Sequence, residues 1–127
     1  MDVANLYRQL RHAKTDEKTG IRIERITGNE QMSLYAAEIA PHTTLRPHFH
    51  NHGEELYQIL GGSGTMSVGT VSGTSFVFDE TFPVTTGDCF TIAEGMVHQL
   101  ANPSDQPLLG VFVCPPSHLG NDRYFVE

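Results

Sequence analysis

The sequence predicts an all-β domain, an antiparallel sandwich or barrel, preceded by a short N-terminal helix. Between residues 21 and 114, short apolar stretches alternate with a period of two. Turn sequences containing Gly, Pro or Asn separate these stretches at regular intervals. The only helical spacing is the apolar stripe formed by Val3, Leu6, Tyr7 and Leu10. Many short strands with turn signals between them are typical of sandwiches and barrels.

The chain divides into an N-terminal arm, residues 1–20, and a single domain, residues 21–127. The helical stripe lies in the first half of the arm, and the polar segment 11–20 is predicted to be a connector. The predicted strands then follow in order at residues 21–26, 32–40, 44–50, 56–60, 65–68, 75–78, 90–93, 97–101 and 108–114. Residues 71–74 have the composition of an added hairpin tip.

Composition excludes several classes of partner. The chain has 15 acidic and 8 basic residues, a net charge of −7, which argues against nucleic acid or anionic membrane as the main partner. No apolar stretch approaches the ~20 residues needed to span a bilayer, and residues 1–5 lack a secretory pattern. Cys89 and Cys114 lie in apolar stretches and are interpreted as free buried thiols. A cytoplasmic protein is therefore expected.

One predicted strand is apolar on both faces. Residues 32–39 carry apolar side chains at both parities, whereas a strand with one face in water would alternate. A second sheet or a second subunit could cover the outer face, which predicts a homodimer. The chain's own N-terminal arm is an equal alternative.

A histidine cluster followed by two glutamates concentrates metal-binding chemistry. His48 and His50 share one strand face, whereas His52 falls in the following turn. Glu55 can return to the same face, and Glu54 is expected to point into solvent. Imidazole nitrogen and carboxylate oxygen together suit divalent first-row transition metals.

Two spaced motifs contain these residues. In the first, His48-Phe49-His50 is followed by four residues and Glu55, then by six residues and Gly62. In the second, Gly87 is followed by Ala93-Glu94-Gly95, then by His98 and Asn102. The spacing and order of the two motifs resemble those of the cupin superfamily. The sequence departs from the family's pattern at two turn positions, with His42 in place of Gly and Ala93 in place of Pro.

The resemblance implies a jelly-roll β-barrel with one divalent metal (Fe, Mn, Ni, Zn or Cu) inside it. By this resemblance His48, His50, Glu55 and His98 are the ligands, which leaves one or two positions open to water or substrate. Dioxygenases, decarboxylases and isomerases occur among single-domain cupins. The alternative function is a non-catalytic module that binds or senses a small molecule through the metal.

Strand parity predicts the pocket. Tyr57 and Ile59 share the parity of Glu55, Leu100 that of His98, and Arg46 that of His48, while Phe90 would supply apolar wall. Arg46 and Tyr57 are the candidate catalytic residues. Arg46 could clamp a carboxylate or pair with a surface acid, and Tyr57 could donate to a ligand or pack.

The remaining histidines, His12, His42 and His118, lack ligand spacing and are interpreted as ordinary surface or packing residues. The tail that follows Pro115-Pro116 carries aromatic residues. It is predicted to pack back on the barrel or on a partner, with a lid over the pocket as the alternative.

Overall fold

Two antiparallel sheets with the main hydrophobic core between them form the structure, a computed structural model that describes residues 1–17 and 21–127. The first sheet has the order β1-β2-β3-β11-β6-β9 and the second the order β12-β5-β10-β7-β8, with β4 on β10. The strands are β1 Thr15–Asp16, β2 Ile21–Gly28, β3 Ser33–Ile39, β4 Thr43–Thr44, β5 His48–Phe49, β6 Glu55–Gly61, β7 Ser63–Ser72, β8 Ser75–Thr85, β9 Cys89–Ile92, β10 Val97–Asn102, β11 Leu108–Cys114 and β12 Tyr124–Phe125. The helices are α1 Leu6–Leu10 and a 3₁₀ helix, Pro116–Leu119. The all-β prediction with a short N-terminal helix is confirmed.

The longest strands form a hairpin at one edge of the second sheet. β7 and β8 pair along most of their length, and the turn follows Ser72, so the predicted hairpin tip at residues 71–74 is confirmed. β8 runs to Thr85, well beyond the predicted end at Phe78. The sequence pattern did not predict residues 79–85 to be strand because Asp79 and Glu80 interrupt the apolar alternation, as charges commonly do on an edge strand.

The strand predicted at residues 44–50 is interrupted. Only β4 and β5 are extended there, and the segment 45–47 between them contains Pro47, which cannot donate to a strand ladder. The break shifts the side-chain parity, so that Leu45 is buried and Arg46 is exposed. The predicted inward orientation of Arg46 is therefore wrong, and its guanidinium lies over the Phe125 ring at 4.3 Å.

The N-terminal arm covers part of the outer face of the first sheet. The Asn5 side chain accepts a hydrogen bond from the Arg8 amide at the start of α1. Leu10, at the end of α1, is buried in a second cluster with Ile26, Ala36 and Val111. The predicted connector contains strand β1, which pairs with β2, and residues 18–20 lie outside the described part of the chain.

The C-terminal tail packs on the barrel, as one of the sequence alternatives predicts. Its 3₁₀ helix follows the double proline, and β12 pairs with β5 through Tyr124 opposite Phe49 and Phe125 opposite His48. In residues 1–17 and 21–127, no helix is long and apolar enough to cross a bilayer.

Candidate metal centre

The four predicted ligands converge from three strands and from the residue that follows β5, His50. His48 in β5 lies opposite His98 in β10, their ring centroids 4.3 Å apart, and the His50 ring lies within 5.4 Å of both. Glu55 begins β6 and reaches the same point, with its carboxylate oxygens 2.8 Å from His50 Nε2 and 3.5 Å from His98 Nε2. The structure therefore brings together all four residues that the motifs single out.

Backbone carbonyls orient the three imidazoles. His48 Nδ1 donates to the Arg46 carbonyl at 3.1 Å, His50 Nδ1 to the Asp122 carbonyl at 2.6 Å and His98 Nδ1 to the Met96 carbonyl at 3.1 Å. Since a carbonyl only accepts, Nδ1 carries the hydrogen in each ring, and in the neutral imidazole Nε2 keeps its lone pair. This is the arrangement in which histidines ligate metals through Nε2.

Two of these lone pairs have no hydrogen-bond partner. His50 Nε2 and His98 Nε2 are buried, and neither finds one among the described residues. Buried polar atoms are almost always satisfied, so two orphans at one point require an explanation. Both face the Glu55 carboxylate, and lone pairs repel a carboxylate oxygen unless a cation lies between them. Three imidazoles and a carboxylate fit a divalent transition metal.

Burial and neighbouring charges adjust the protonation of the site. Burial, then the neighbouring His98, lowers the pKa of His48 to about 3, so this ring is neutral at physiological pH. Burial alone would raise the pKa of Glu55, but contacts led by the hydrogen bond from His118 hold it well below its usual value. Burial and the Glu55 charge raise the pKa of Tyr57, whose protonated hydroxyl donates to Glu55 Oε2 at 2.7 Å.

His118 lies in the site, which sequence reasoning missed. Its Nδ1 is 3.0 Å from Glu55 Oε1, its Nε2 donates to the His52 carbonyl at 2.5 Å, and its ring stacks on His50. Burial would lower the pKa of His118, but the hydrogen bonds to Glu55 and His52 outweigh it and raise the pKa. The interpretation of His118 as an ordinary surface or packing residue is corrected. No spacing in the sequence signals it, because it lies in an irregular tail.

Asp122 is a second tail residue that the sequence did not reveal. Its carboxylate accepts hydrogen bonds from the amides of Asn51 and His52 at 2.7 and 3.0 Å, while its carbonyl holds His50. Burial would raise the pKa of Asp122, but these two amide hydrogen bonds outweigh it and lower the pKa. The turn between the first two histidines and Glu55 is therefore fastened by the tail.

The histidines and the glutamate that the sequence analysis set aside as non-ligands, apart from His118, lie at the surface. His52, Glu54, His12 and His42 are exposed. His42 Nε2 lies 2.7 Å from the Asp105 carboxylate at the surface.

A small cavity of about 50 Å³ opens beside the histidines. Tyr57, Ile59 and Leu100 line it, as strand parity predicts. Arg46 and Phe90 are not among its lining residues: Arg46 is turned outward, and the Phe90 ring stacks on Tyr57 at 5.1 Å. The rest of the wall is mainly apolar, with members Ile21, Ile23, Ala37, Ile39, Leu45, Leu108, Phe112 and Leu119.

One arginine does reach the cavity. Arg123 contributes to the lining, and its guanidinium pairs with the Asp16 carboxylate at 2.5 Å. Its charge is already balanced by Asp16. The wall therefore presents no uncompensated cation from this residue.

Comparison with known proteins agrees with this fold. The family described as "Cupin domain" matches residues 35–114. No curated protein matches the sequence. Among solved structures, protein TT1209 from Thermus thermophilus is 21% identical, with a TM-score of 0.69 over 91% of this chain and 98% of that one.

Two further structures are similar. An uncharacterized conserved protein with a double-stranded β-helix domain from Klebsiella pneumoniae is 15% identical, with a TM-score of 0.70 over 100% of this chain and 98% of that one. A Cupin 2 conserved barrel domain protein from Salinispora arenicola is 20% identical, with a TM-score of 0.65 over 89% of this chain and 87% of that one. At these identities the likeness shows the fold.

Proposed function

Because the chain belongs to the cupin family, we propose that it is a mononuclear metalloenzyme that oxidises a small molecule with dioxygen inside the barrel. One divalent transition metal would be held by His48, His50, Glu55 and His98. The observation that carries this proposal is the pair of buried, unpartnered nitrogens, His50 Nε2 and His98 Nε2, which face a buried carboxylate. A bound metal would supply Lewis acidity and, with iron, manganese or copper, one-electron redox chemistry.

The acid–base side chains of the cavity are already engaged in hydrogen bonds or ion pairs, which favours oxidation over isomerisation. Isomerisation by proton transfer needs a base within reach of the substrate. Among the described residues that line the cavity, Tyr57 donates to Glu55, His118 contacts acceptors through both ring nitrogens, and Arg123 pairs with Asp16. None of these side chains is a free base. Decarboxylation at the metal is the next alternative, because it also needs no separate base.

The apolar wall defines the substrate class. A cavity of about 50 Å³ holds roughly four water molecules, so only a few heavy atoms of a substrate enter it. Apart from the histidine end and Arg123, whose charge is paired with Asp16, its lining is apolar, which suits a short apolar body with one metal-binding head group. Ile59, Leu100 and Phe112 would contact that apolar body and exclude water from it. Tyr57 would hold the Glu55 carboxylate through its hydrogen bond.

Metal analysis and oxygen uptake test the proposal. The purified protein is loaded with Fe(II) and offered a panel of small thiols, catechols and 2-keto acids. We expect one metal per chain and oxygen consumption with at least one class, lost in His98→Ala. His52→Ala is the matched control, because His52 belongs to the same cluster but its side chain is exposed. It should retain both metal and activity.

The outcomes separate the two function classes. A loaded protein that consumes no oxygen across the panel but binds panel molecules would favour the non-catalytic binding or sensing module. A wild-type protein that takes up no divalent metal would overturn the metal centre itself.

We also propose a homodimer through the outer face of the first sheet, in the cytoplasm. The arm leaves Met32 and Leu56 exposed at 58% and 52%. Val113 lies opposite Leu56 on the neighbouring strand, and Leu34 lies opposite Val113 on the strand beyond it. Cys89 and Cys114 are both free, which is compatible with a reducing compartment, but only Cys114 is buried; the interpretation of Cys89 as a buried thiol is corrected, since it is exposed. Light scattering tests the dimer: a dimeric mass that Leu56→Glu reduces to monomeric would support it, and a monomeric wild type would refute it.

A further inference from the structure

The carboxylate of Glu55 is held by side chains from outside the predicted ligand set. Oε2 accepts from the Tyr57 hydroxyl, and Oε1 lies 3.0 Å from His118 Nδ1. His118 is 1% exposed and comes from the 3₁₀ helix of the tail, 63 residues after Glu55. Two contacts hold its ring in place: the hydrogen bond to the His52 carbonyl and the stacking on His50.

The stacking geometry decides what His118 can do. The His118 and His50 rings are parallel within 1°, with centroids 3.9 Å apart. A metal bound by an imidazole lies in the plane of that ring. Planes separated by ~3.5 Å, the usual contact distance, cannot both contain one ion within the ~2.1 Å reach of an imidazole nitrogen. His118 and His50 therefore cannot ligate the same ion in this arrangement, although His50, Glu55 and His118 cluster closely.

We propose that His118 is a positioning residue for Glu55, which holds Oε1 from the tail side while Tyr57 holds Oε2. This inference rests on the metal centre proposed above and adds to it a histidine that does not touch the metal. These two contacts keep the buried carboxylate in one orientation, so that the ligand is already positioned before the metal binds. Groups that orient metal ligands in this way commonly contribute 10–100-fold to affinity.

Cobalt(II) binding to the full chain tests the proposal. We expect His118→Phe, which keeps a stacking ring but removes both nitrogens, to raise the Co(II) dissociation constant roughly 10–100-fold. The visible Co(II) absorption should change as well, because the Glu55 ligand is held differently. His118→Asn places an amide nitrogen near the Nδ1 position and should recover part of the affinity. His118→Leu serves as a second donor-free variant if His118→Phe does not fold.

Ser117→Ala is the matched control for the tail. Ser117 neighbours His118 on the same 3₁₀ helix but is not among the residues that line the cavity, and its side chain has no hydrogen bond to Glu55 among those of the described residues. It should bind Co(II) with the wild-type spectrum. The proposal is overturned if His118→Phe binds Co(II) like wild type, if His118→Asn recovers nothing, or if Ser117→Ala reproduces the loss. If the wild type itself binds no Co(II), the metal centre fails and the positioning role fails with it.

Discussion

His50 and Asp122 are joined by a 2.6 Å hydrogen bond from His50 Nδ1 to the Asp122 carbonyl, across 72 residues of chain. The same aspartate binds the amides of the two residues that follow His50. One tail residue thus sets both the ring orientation of a proposed ligand and the shape of the turn that leads to Glu55. The site depends on the tail as well as on the motif strands.

The Asp122 carboxylate is expected to stabilise this turn. Asp122→Ala removes the acceptor of two part-buried amides, and hydrogen bonds to charged groups contribute about 1.5–3 kcal/mol each. Two such bonds would contribute about 3–6 kcal/mol, but part-buried amides can bind water once the carboxylate is removed. We therefore expect the free energy of unfolding, measured by urea titration of metal-free protein, to fall by the smaller amount of about 2–4 kcal/mol. Asp122→Asn keeps one side-chain acceptor, so its free energy of unfolding should lie between those of wild type and Asp122→Ala.

Asp105→Ala is the control for this prediction. Asp105 also contacts a histidine, His42, but the pair is exposed and should contribute less than about 1 kcal/mol. Equal stability of Asp122→Ala and wild type would contradict the role assigned to the carboxylate.

The proposed ligands can be tested one at a time. His48→Ala and Glu55→Ala should each abolish metal retention through gel filtration, since each removes one of four donors. The fold should survive, as judged by circular dichroism. Elemental analysis of the purified variants gives the metal content. Wild-type content in either variant would refute that ligand, and His52→Ala should stay at the wild-type level.

Regular strands made part of the site predictable. Glu55, Tyr57 and Ile59 share one face because the period of two applies without interruption from Glu55 to Ile59, and the register of β6 against β11 shifts only beyond that point. His98 and Leu100 share a face of β10 for the same reason. Once a strand is continuous, one known inward residue determines the direction of its neighbours.

The residues that were predicted wrongly or missed lie outside continuous strands, where side chains do not alternate with a period of two. The prediction for Arg46 failed because Pro47 interrupts the strand and the parity changes across the break. His118 and Asp122 lie in or beside a 3₁₀ turn, and their contacts span 63 and 72 residues. Which edge such a tail docks on depends on long-range packing, for which local spacing carries no information.

Gly62, the last position of the first motif, is expected to be required for its backbone. Its φ is +84°, and a Cβ there would overlap the carbonyl oxygen of Pro107. Gly62→Ala adds this clash to the backbone strain of about 1 kcal/mol. Gly73 is the matched control, because its φ is +63° but nothing lies near a Cβ. Thermal unfolding should show a larger loss for Gly62→Ala than for Gly73→Ala, and equal losses would contradict the clash.

The metal-free protein should lose stability as the pH falls, in part through His48. Its pKa is about 3 when folded and 6.5 ordinarily. Between these values the unfolded chain binds a proton that the folded protein does not, so this contribution is present above pH 6.5 and lost on acidification toward pH 3. The lowered pKa values of Glu55 and Asp122 add in the same direction at lower pH. His118 acts oppositely, since its raised pKa stabilises the fold at low pH.

His48→Gln isolates the contribution of His48 to this pH dependence. Each fully shifted group contributes a slope of up to about 1.4 kcal/mol per pH unit. Urea unfolding of metal-free wild type and His48→Gln is compared from about pH 7 to about pH 4, the range in which the proton is taken up on unfolding. The variant should show the shallower decline, so that the two free energies of unfolding approach one another as the pH falls. Parallel curves would mean that His48 titrates alike in the folded and unfolded states, and that its ring is not held neutral by burial beside His98.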